Sequence, residues 1–344
     1  MRRMLPLDAL RGLAALGVAL FFHYRHFTDA RPVAGTLLRP LYLHGDGLVD
    51  LFFILSGFVF AAVYGARLAS RAVTLRNFFV LRLSRLYPLH LAALLAVTAL
   101  FILRWYWQLG PFVYGGTARD FLVQVLLLQN GLFDLSYSFN GPAWSIACEM
   151  TAYLLFALLC RFAFRWRVPL AAATIVGALF LATTNWLPTE GSFVRLLLGF
   201  FGGMLLGELD ARLVTLRARL GYCIASLAAF VLAHRYCPFL AERGLILFGY
   251  PVIILAGLRV APLARLLSLR PLTWLGDISY SVYLLHFPLQ LLIRTVDQRW
   301  DLPLNYASGL VWGAYAALLL ALATLSYRAG ELPVQRRLRA RFLR

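Results

Sequence analysis

The chain has 344 residues, 61% of them hydrophobic and 14% charged, with a mean hydropathy of +0.75. A soluble domain of this length needs a polar shell that so few charges cannot form, so a soluble enzyme, a disordered chain and a disulfide-stapled secreted domain are excluded in favour of a polytopic membrane protein. All 33 basic residues are arginine, against 15 acidic ones and a net charge of +18, which excludes a lysine Schiff base or Walker-type lysine and leaves two sources for the charge, nucleic-acid binding or a cytoplasmic arginine bias.

A helix needs about 20 apolar residues to cross the hydrocarbon. In chain order the sequence predicts spans over 8–27, 48–66, 88–107, 144–164, 168–186, 193–210, 220–234, 244–258, 272–293 and 305–327. The segment 121–133 is apolar but short. With a cytoplasmic N-terminus and 121–133 not crossing, 22 arginines fall on the cytoplasmic side and 9 outside, while Arg11 and Arg195 lie within spans. If 121–133 crossed, every later loop would change side and the bias would collapse. The prediction is an all-α integral membrane bundle of about ten helices with both termini cytoplasmic, and 121–133 a non-spanning element on the outer side. Residues 1–333 form one transmembrane domain and 334–344 a basic cytoplasmic tail. Nucleic acid is not needed to explain the charge.

Arg2 and Arg3 before an apolar run resemble a signal peptide, but Asp8 and Arg11 interrupt the run and no small-residue cleavage site follows, so the first helix is read as retained. Cys148, Cys160, Cys223 and Cys237 contain no CxxC and read as free thiols in apolar stretches, with no zinc site.

Ionisable residues inside spans are costly, and each is a functional-site hypothesis. The first helix carries Asp8, Arg11, His23 and His26. Asp8 and Arg11 are i, i+3 neighbours, which also fits a local ion pair. His23 lies about 18 Å along the helix from Arg11, in the outer half of the bilayer. Glu149 follows Trp144 in the fourth span at a similar depth; a structural partner for an arginine is the plain alternative. His286 in 272–293 reaches the same level, where a satisfied core histidine is the commoner reading. Histidine near a carboxylate is the arrangement that orients and charges a general base. On the cytoplasmic side Arg82 and Arg85 stand one helical turn apart and lead into Tyr87 and Pro88. Their guanidinium forks suit phosphates, and equally suit ordinary anchoring.

Five stretches, in order, resemble the acyltransferase 3 family of bacterial membrane O-acyltransferases, the O-antigen acetylase type. They are LDALRGLAAL with His23 about one span later; VDLFFILSGF (49–58); RLSRLYPLH (82–90), read as a cytoplasmic loop; PAWSIACEM (142–150); and LGDISYSVYLLHFP (275–288). The closing SYRAGELP (326–333) adds an E-x-P match. The family places ten residues between the first-helix arginine and its histidine, whereas eleven separate Arg11 from His23. On a regular helix an offset of 11 lands about 20° from Arg11, 12 about 120° away, and His26 at 15 about 60° away. Either the histidine has moved, or a one-residue π-bulge between Arg11 and His23 restores the facing; the bulge is favoured, because HYRHF also resembles a family variant with a second histidine three residues on, and His23 ranks ahead of His26 as the base.

The resemblance implies an O-acyltransferase that uses acyl-CoA, with acetyl-CoA foremost, as donor and no metal. His23 would be the general base or acyl carrier, with His26 second. Glu149 would orient or charge-stabilise the imidazole, and Arg11 would support the first helix or the donor's negative part. Arg82 and Arg85 would hold the donor phosphates, with Tyr87 beside them. Trp144, Tyr280, Tyr283 and His286 would line the route of a carbohydrate acceptor. Ser56 and Gly57 are read as packing residues. The location implied is the bacterial inner membrane, with the bilayer as partner and no nucleic acid. No soluble SGNH-type domain follows, so direct transfer and hand-over to a separate periplasmic transferase both stay open.

The alternative from another class is a proton-coupled transporter or exporter, since intramembrane His and Glu also build proton relays. Against it stand the missing internal repeat and the unexplained Arg82–Arg85 pair. Acyl-CoA binding or hydrolysis favours the enzyme, and flux without acyl-CoA the transporter.

Overall fold

A computed structural model describes residues 3–30, 32, 37–129, 137–183, 190–213, 215–237 and 243–343. Every regular element among the described residues is a helix, with no strand among them. The helices are α1 (Leu5–Gly17), α2 (Arg39–His44), α3 (Leu48–Phe60), α4 (Ala66–Ala69), α5 (Leu75–Tyr106), α6 (Ala118–Val125), α7 (Trp144–Phe162), α8 (Arg167–Leu181), α9 (Glu190–Arg212), α10 (Leu216–Tyr236), α11 (Tyr250–Arg259), α12 (Ala261–Leu267), α13 (Arg270–Trp300), α14 (Gly309–Leu325) and α15 (Leu332–Phe342). Several start where the chain supplies a cap. Thr117 and Asp120 form a reciprocal capping box on α6, Thr215 caps α10 and Ser308 caps α14. Proline occupies the first turn of α2 and α12, where its missing N–H costs nothing.

Among the described residues, seven helical stretches are long and apolar enough to cross a membrane: Leu5–His26, Arg39–Ala69, Leu75–Tyr106, Gly141–Phe162, Phe164–Leu181, Gly191–Arg212 and Gly309–Phe342. The pair Leu245–Arg259 and Ala261–Leu267, bent by 89°, makes an eighth if it counts as one span. The two other predicted spans fall on α10 and α13, helices of 21 and 31 residues that are not among these stretches. The described part of 121–133 is the end of the eight-residue α6 and the turn after it, too short to cross. Residues 130–133 and 184–186, and Arg2, Arg31 and Arg344, lie outside the described residues.

One reading is corrected. The Arg82–His90 motif is not a loop, because α5 runs unbroken through it for 32 residues with Pro88 inside. Proline removes one helical hydrogen bond without ending a membrane helix, because neighbouring groups re-satisfy the backbone. The stretch 334–344, predicted as a tail, is helical through Phe342.

The chain divides into two compact units. One comprises Met1–Arg11, Val49–Leu75 and Cys148–Gly276; the other comprises Gly12–Leu48, Arg76–Ala147 and Asp277–Arg344. In the first unit α3 and α9 touch backbone to backbone. A Cβ on Gly57 would strike the Phe200 carbonyl, and one on Gly203 the Ile54 carbonyl. Gly199, Gly203 and Gly207 form a small-residue stripe with four-residue spacing along α9, the pattern that lets membrane helices approach closely. Arg195 pairs with Asp50 at 2.7 Å, Arg167 grips Glu208 with two nitrogens at 2.6 and 2.9 Å, and Arg259 holds Asp210 with its own fork. The pairing neutralises charges whose isolated burial would be prohibitive.

In the second unit Leu94, Val97, Phe139, Phe287 and Leu291 form a buried cluster, covered by Phe101, Phe112, Tyr114 and Phe121. Pro288, inside α13, cannot donate to the carbonyl of Leu284. The side chain of Asn140 does so instead, at 3.1 Å, and thereby pins the segment that leads into α7.

Candidate functional site

The first apolar run does not continue as a regular α-helix. After α1 it passes through a π-helical turn at Val18–Phe22 and then a 3-10 turn at His23–His26. This is the bulge favoured over a displaced histidine. A π-turn leaves carbonyls without their usual partner, and here side chains supply it. Trp312 Nε1 donates to the Leu20 carbonyl at 2.8 Å, and the Tyr315 hydroxyl to that of Ala19 at 3.4 Å. Gln290 Nε2 donates to the carbonyl of His23 at 3.0 Å.

His23 is buried, and its Nδ1 lies 2.7 Å from Nε2 of the fully buried His286. The Nδ1 of His286 lies 2.6 Å from the Tyr283 carbonyl. His26 stacks on His23 with ring centres 4.9 Å apart, and its Nδ1 lies 3.0 Å from Oε1 of Gln290. Phe112, Tyr114 and Phe287 present T-shaped contacts to the His26 ring at 6.0–6.2 Å. Burial pushes the Tyr114 hydroxyl up to about 12, with Tyr137 adding to the shift and Arg25 opposing it; it therefore stays a neutral hydroxyl at working pH.

The other predicted acceptor residues hold structural bonds. Tyr283 donates to the Pro142 carbonyl at 2.9 Å and accepts from Ser145 at 2.9 Å. The Tyr280 hydroxyl donates to the Leu86 carbonyl. Trp144 is buried, with its ring edge-on to Tyr137. Arg82 and Arg85 sit one turn apart on α5, Arg82 buried and Arg85 half-buried. Tyr87 donates to the Val125 carbonyl at the end of α6 at 3.0 Å, and His90, a turn further on, lies 2.8 Å from that of Gln124. In the same unit Ser281, inside the 275–288 motif, donates to Glu331 of the closing E-x-P.

Two further predicted residues belong to the other unit. Arg11 donates to Asp8 at 3.1 Å, the anticipated i, i+3 pair, and also to the carbonyl of Gly276 at 3.0 Å. A Cβ on Gly276 would overlap the Asp8 backbone, so the glycine of the 275–288 motif is what lets α1 and α13 meet there. Glu149 is half-buried and accepts from Ser56 and from Tyr153 at the next helical turn. Gly57 packs as predicted, but its neighbour Ser56 is a carboxylate donor rather than a packing residue.

Sequence reasoning passed over Gln290, Ser145, Tyr153, Trp312 and Asn140. Gln290 had a signal, since it lies four residues beyond His286 on the same face of α13. The Asp50–Arg195 pair also had one, since Asp50 is the lone charge of its predicted span and Arg195 is the only basic residue of its own.

The acyltransferase domain family matches residues 5–328 of the chain. Acyltransferase MdmB of Streptomyces mycarofaciens is 28% identical over 375 residues, covering 96% of this chain and 89% of its own length. Peptidoglycan O-acetyltransferase OatA of Listeria monocytogenes is 24% identical over 97% of this chain and 56% of its own, and O-acetyltransferase OatA of Staphylococcus aureus is 23% identical over 97% and 58%. The chain thus spans little more than half of the OatA proteins. No solved structure matches it.

Proposed function

Because the chain belongs to the acyltransferase domain family, acyltransferase 3, we propose that it moves an acetyl group from cytoplasmic acetyl-CoA to a hydroxyl of a cell-envelope or exported carbohydrate. The observation that carries the reading is the buried His23–His286 pair, set at a π-turn of the first helix. His23 takes the proton of the acceptor hydroxyl as the oxygen attacks the thioester carbonyl, and returns it to the leaving thiolate. His26, stacked on His23, is the second candidate for that proton.

Arg82 and Arg85 hold the donor phosphates through charge-assisted hydrogen bonds, and Tyr87 fixes their stretch of α5 against α6. Glu149, anchored by Ser56 and Tyr153, and Arg11, anchored by Asp8 and Gly276, are carried as catalytic candidates by their motif matches. Trp144, Tyr280 and Tyr283 shape the acceptor route through their packing. The aromatic rings round His26 suit the apolar face of a sugar. The OatA relatives, O-acetyltransferases by name and one of them of peptidoglycan, support a carbohydrate acceptor. The arginine distribution supports ten spans in the inner membrane with both termini cytoplasmic. A separate periplasmic transferase is the partner if the acyl group is handed on.

The test uses purified protein in lipid nanodiscs, acetyl-CoA and candidate saccharides, with release of free CoA and the product mass as readouts. His23→Ala is expected to abolish transfer in a protein that elutes and melts like the parent, and His26→Ala to lower it less. Full activity in His23→Ala overturns the reading. Mass spectrometry of surface glycans from cells with and without the protein then identifies the acceptor.

A further inference from the structure

The partners of the three histidines point to which ring nitrogen carries each proton. A backbone carbonyl only accepts, so the 2.6 Å contact from His286 Nδ1 to the Tyr283 carbonyl requires N–H at that nitrogen. With His286 neutral, its Nε2 is then the lone-pair nitrogen. That nitrogen lies 2.7 Å from His23 Nδ1, so His23 must donate, and its own lone pair falls on Nε2. The same logic runs through Gln290. Its amide nitrogen donates to the His23 carbonyl at 3.0 Å, which fixes the amide's orientation and turns Oε1 towards His26 Nδ1. All three imidazoles therefore carry the proton on Nδ1.

We propose that His286 is a positioning residue for His23: by accepting the His23 Nδ1 proton it holds that ring in the tautomer whose Nε2 can act as a base. The assignment deepens the acyl-transfer reading and rests on it for its chemical consequence. When the acceptor's O–H proton passes to His23 Nε2, the new O–C bond forms at the acyl carbon of the donor thioester, and the C–S bond breaks. The positive charge on His23 is meanwhile met by the lone pair of His286 through a bond that becomes charge-assisted. The proton then leaves Nε2 for the departing thiolate, and His23 returns to its starting tautomer. In isolated imidazole nothing imposes that tautomer. Here the chain imposes it through a carbonyl of α13 and a second ring, the part that a carboxylate plays in a Ser-His-Asp triad.

The experiment is ¹⁵N NMR of histidine-labelled protein in nanodiscs. The chain has six histidines, and His23→Gln identifies the His23 signals by difference. His23 is expected in the Nδ1–H form in the parent protein. In His286→Leu it redistributes towards Nε2–H, and kcat falls about tenfold or more while KM for donor and acceptor stays within about twofold. His286→Gln restores an acceptor oxygen and is expected to recover the Nδ1–H signal and most of the lost turnover. An Nε2–H His23 in the parent, or an unchanged tautomer and kcat in a folded His286→Leu, overturns the assignment and leaves the acyltransferase reading standing. Conversely, full transfer activity in His23→Ala sinks that reading while the spectra still judge the hydrogen-bond assignment. If His286→Leu does not fold, the parent spectrum decides alone.

Discussion

The indole nitrogen of Trp312 caps the Leu20 carbonyl at 2.8 Å, and Leu20 sits in the middle of the π-turn that sets His23. A carbonyl released by a bulge inside a membrane helix has no water to turn to, so this bond is a condition for the bulge. Trp312→Phe keeps most of the ring and removes the donor. It is expected to cost about 1–3 kcal/mol, the range for a buried acceptor left without its partner. Thermal unfolding in nanodiscs checks this, and turnover should fall with the melting temperature because His23 follows directly on the turn.

Close approach of α3 and α9 gives a second prediction with a built-in control. Gly202 and Gly203 are adjacent on α9, yet nothing lies within 4 Å of a Cβ on Gly202, whereas one on Gly203 would collide with the Ile54 carbonyl. Gly202→Ala should therefore be neutral or slightly stabilising, since alanine favours a helix by about 1 kcal/mol over glycine. Gly203→Ala must push two backbones apart and should destabilise clearly, by about 1–3 kcal/mol. Melting temperatures and elution profiles of the two variants, compared side by side, read the difference.

The helices were legible because an apolar run of membrane length, in a chain with so few charges, fits little besides a membrane helix. The predicted span 88–107 nevertheless began too late, because Arg82, Arg85 and Pro88 looked like a loop and in fact belong to the same helix as residues 89–106. Charge and proline mark a change of surroundings along a membrane helix as readily as they mark its end. His23, His26 and His286 could be named from depth and motif, but not their bonding. The His23–His286 bond joins residues 263 positions apart, and spacing along one helix says nothing about such a pair. The bulge was legible for a different reason, since an eleven-residue gap on a helix of fixed pitch leaves a specific error to absorb.

Arg82 and Arg85 share one face-and-turn of α5, and the proposed phosphate grip depends on fork geometry as well as charge. Arg85→Ala is expected to raise KM for acetyl-CoA about tenfold or more, with kcat changed much less. Arg85→Lys should recover only part of that, because an ammonium cannot make the paired bonds of a guanidinium. Raising the salt concentration should weaken donor binding in the parent protein more than in Arg85→Ala. Steady-state kinetics at two ionic strengths test both statements, and an unchanged KM in Arg85→Ala removes the arginine from the donor site.

The π-turn at Val18–Phe22 makes opposite predictions for two changes that a straight helix would treat alike. Deleting Ala19 removes the extra residue, so the helix can close into regular α geometry and the histidine keeps its facing towards His286. Activity should stay within about threefold of the parent, and stability should hold because no bulge carbonyl is left to cap. The double change Phe22→His with His23→Phe restores the same number of residues after Arg11 but keeps the bulge. Each residue turns the side chain by about 100°, so the new histidine swings off the His286 nitrogen and phenylalanine takes its place. Transfer should be lost, and the Nδ1–H signal of the paired histidine with it. If the helix were straight the double change would instead improve transfer, so activity of the two variants measured together decides whether the bulge sets the base.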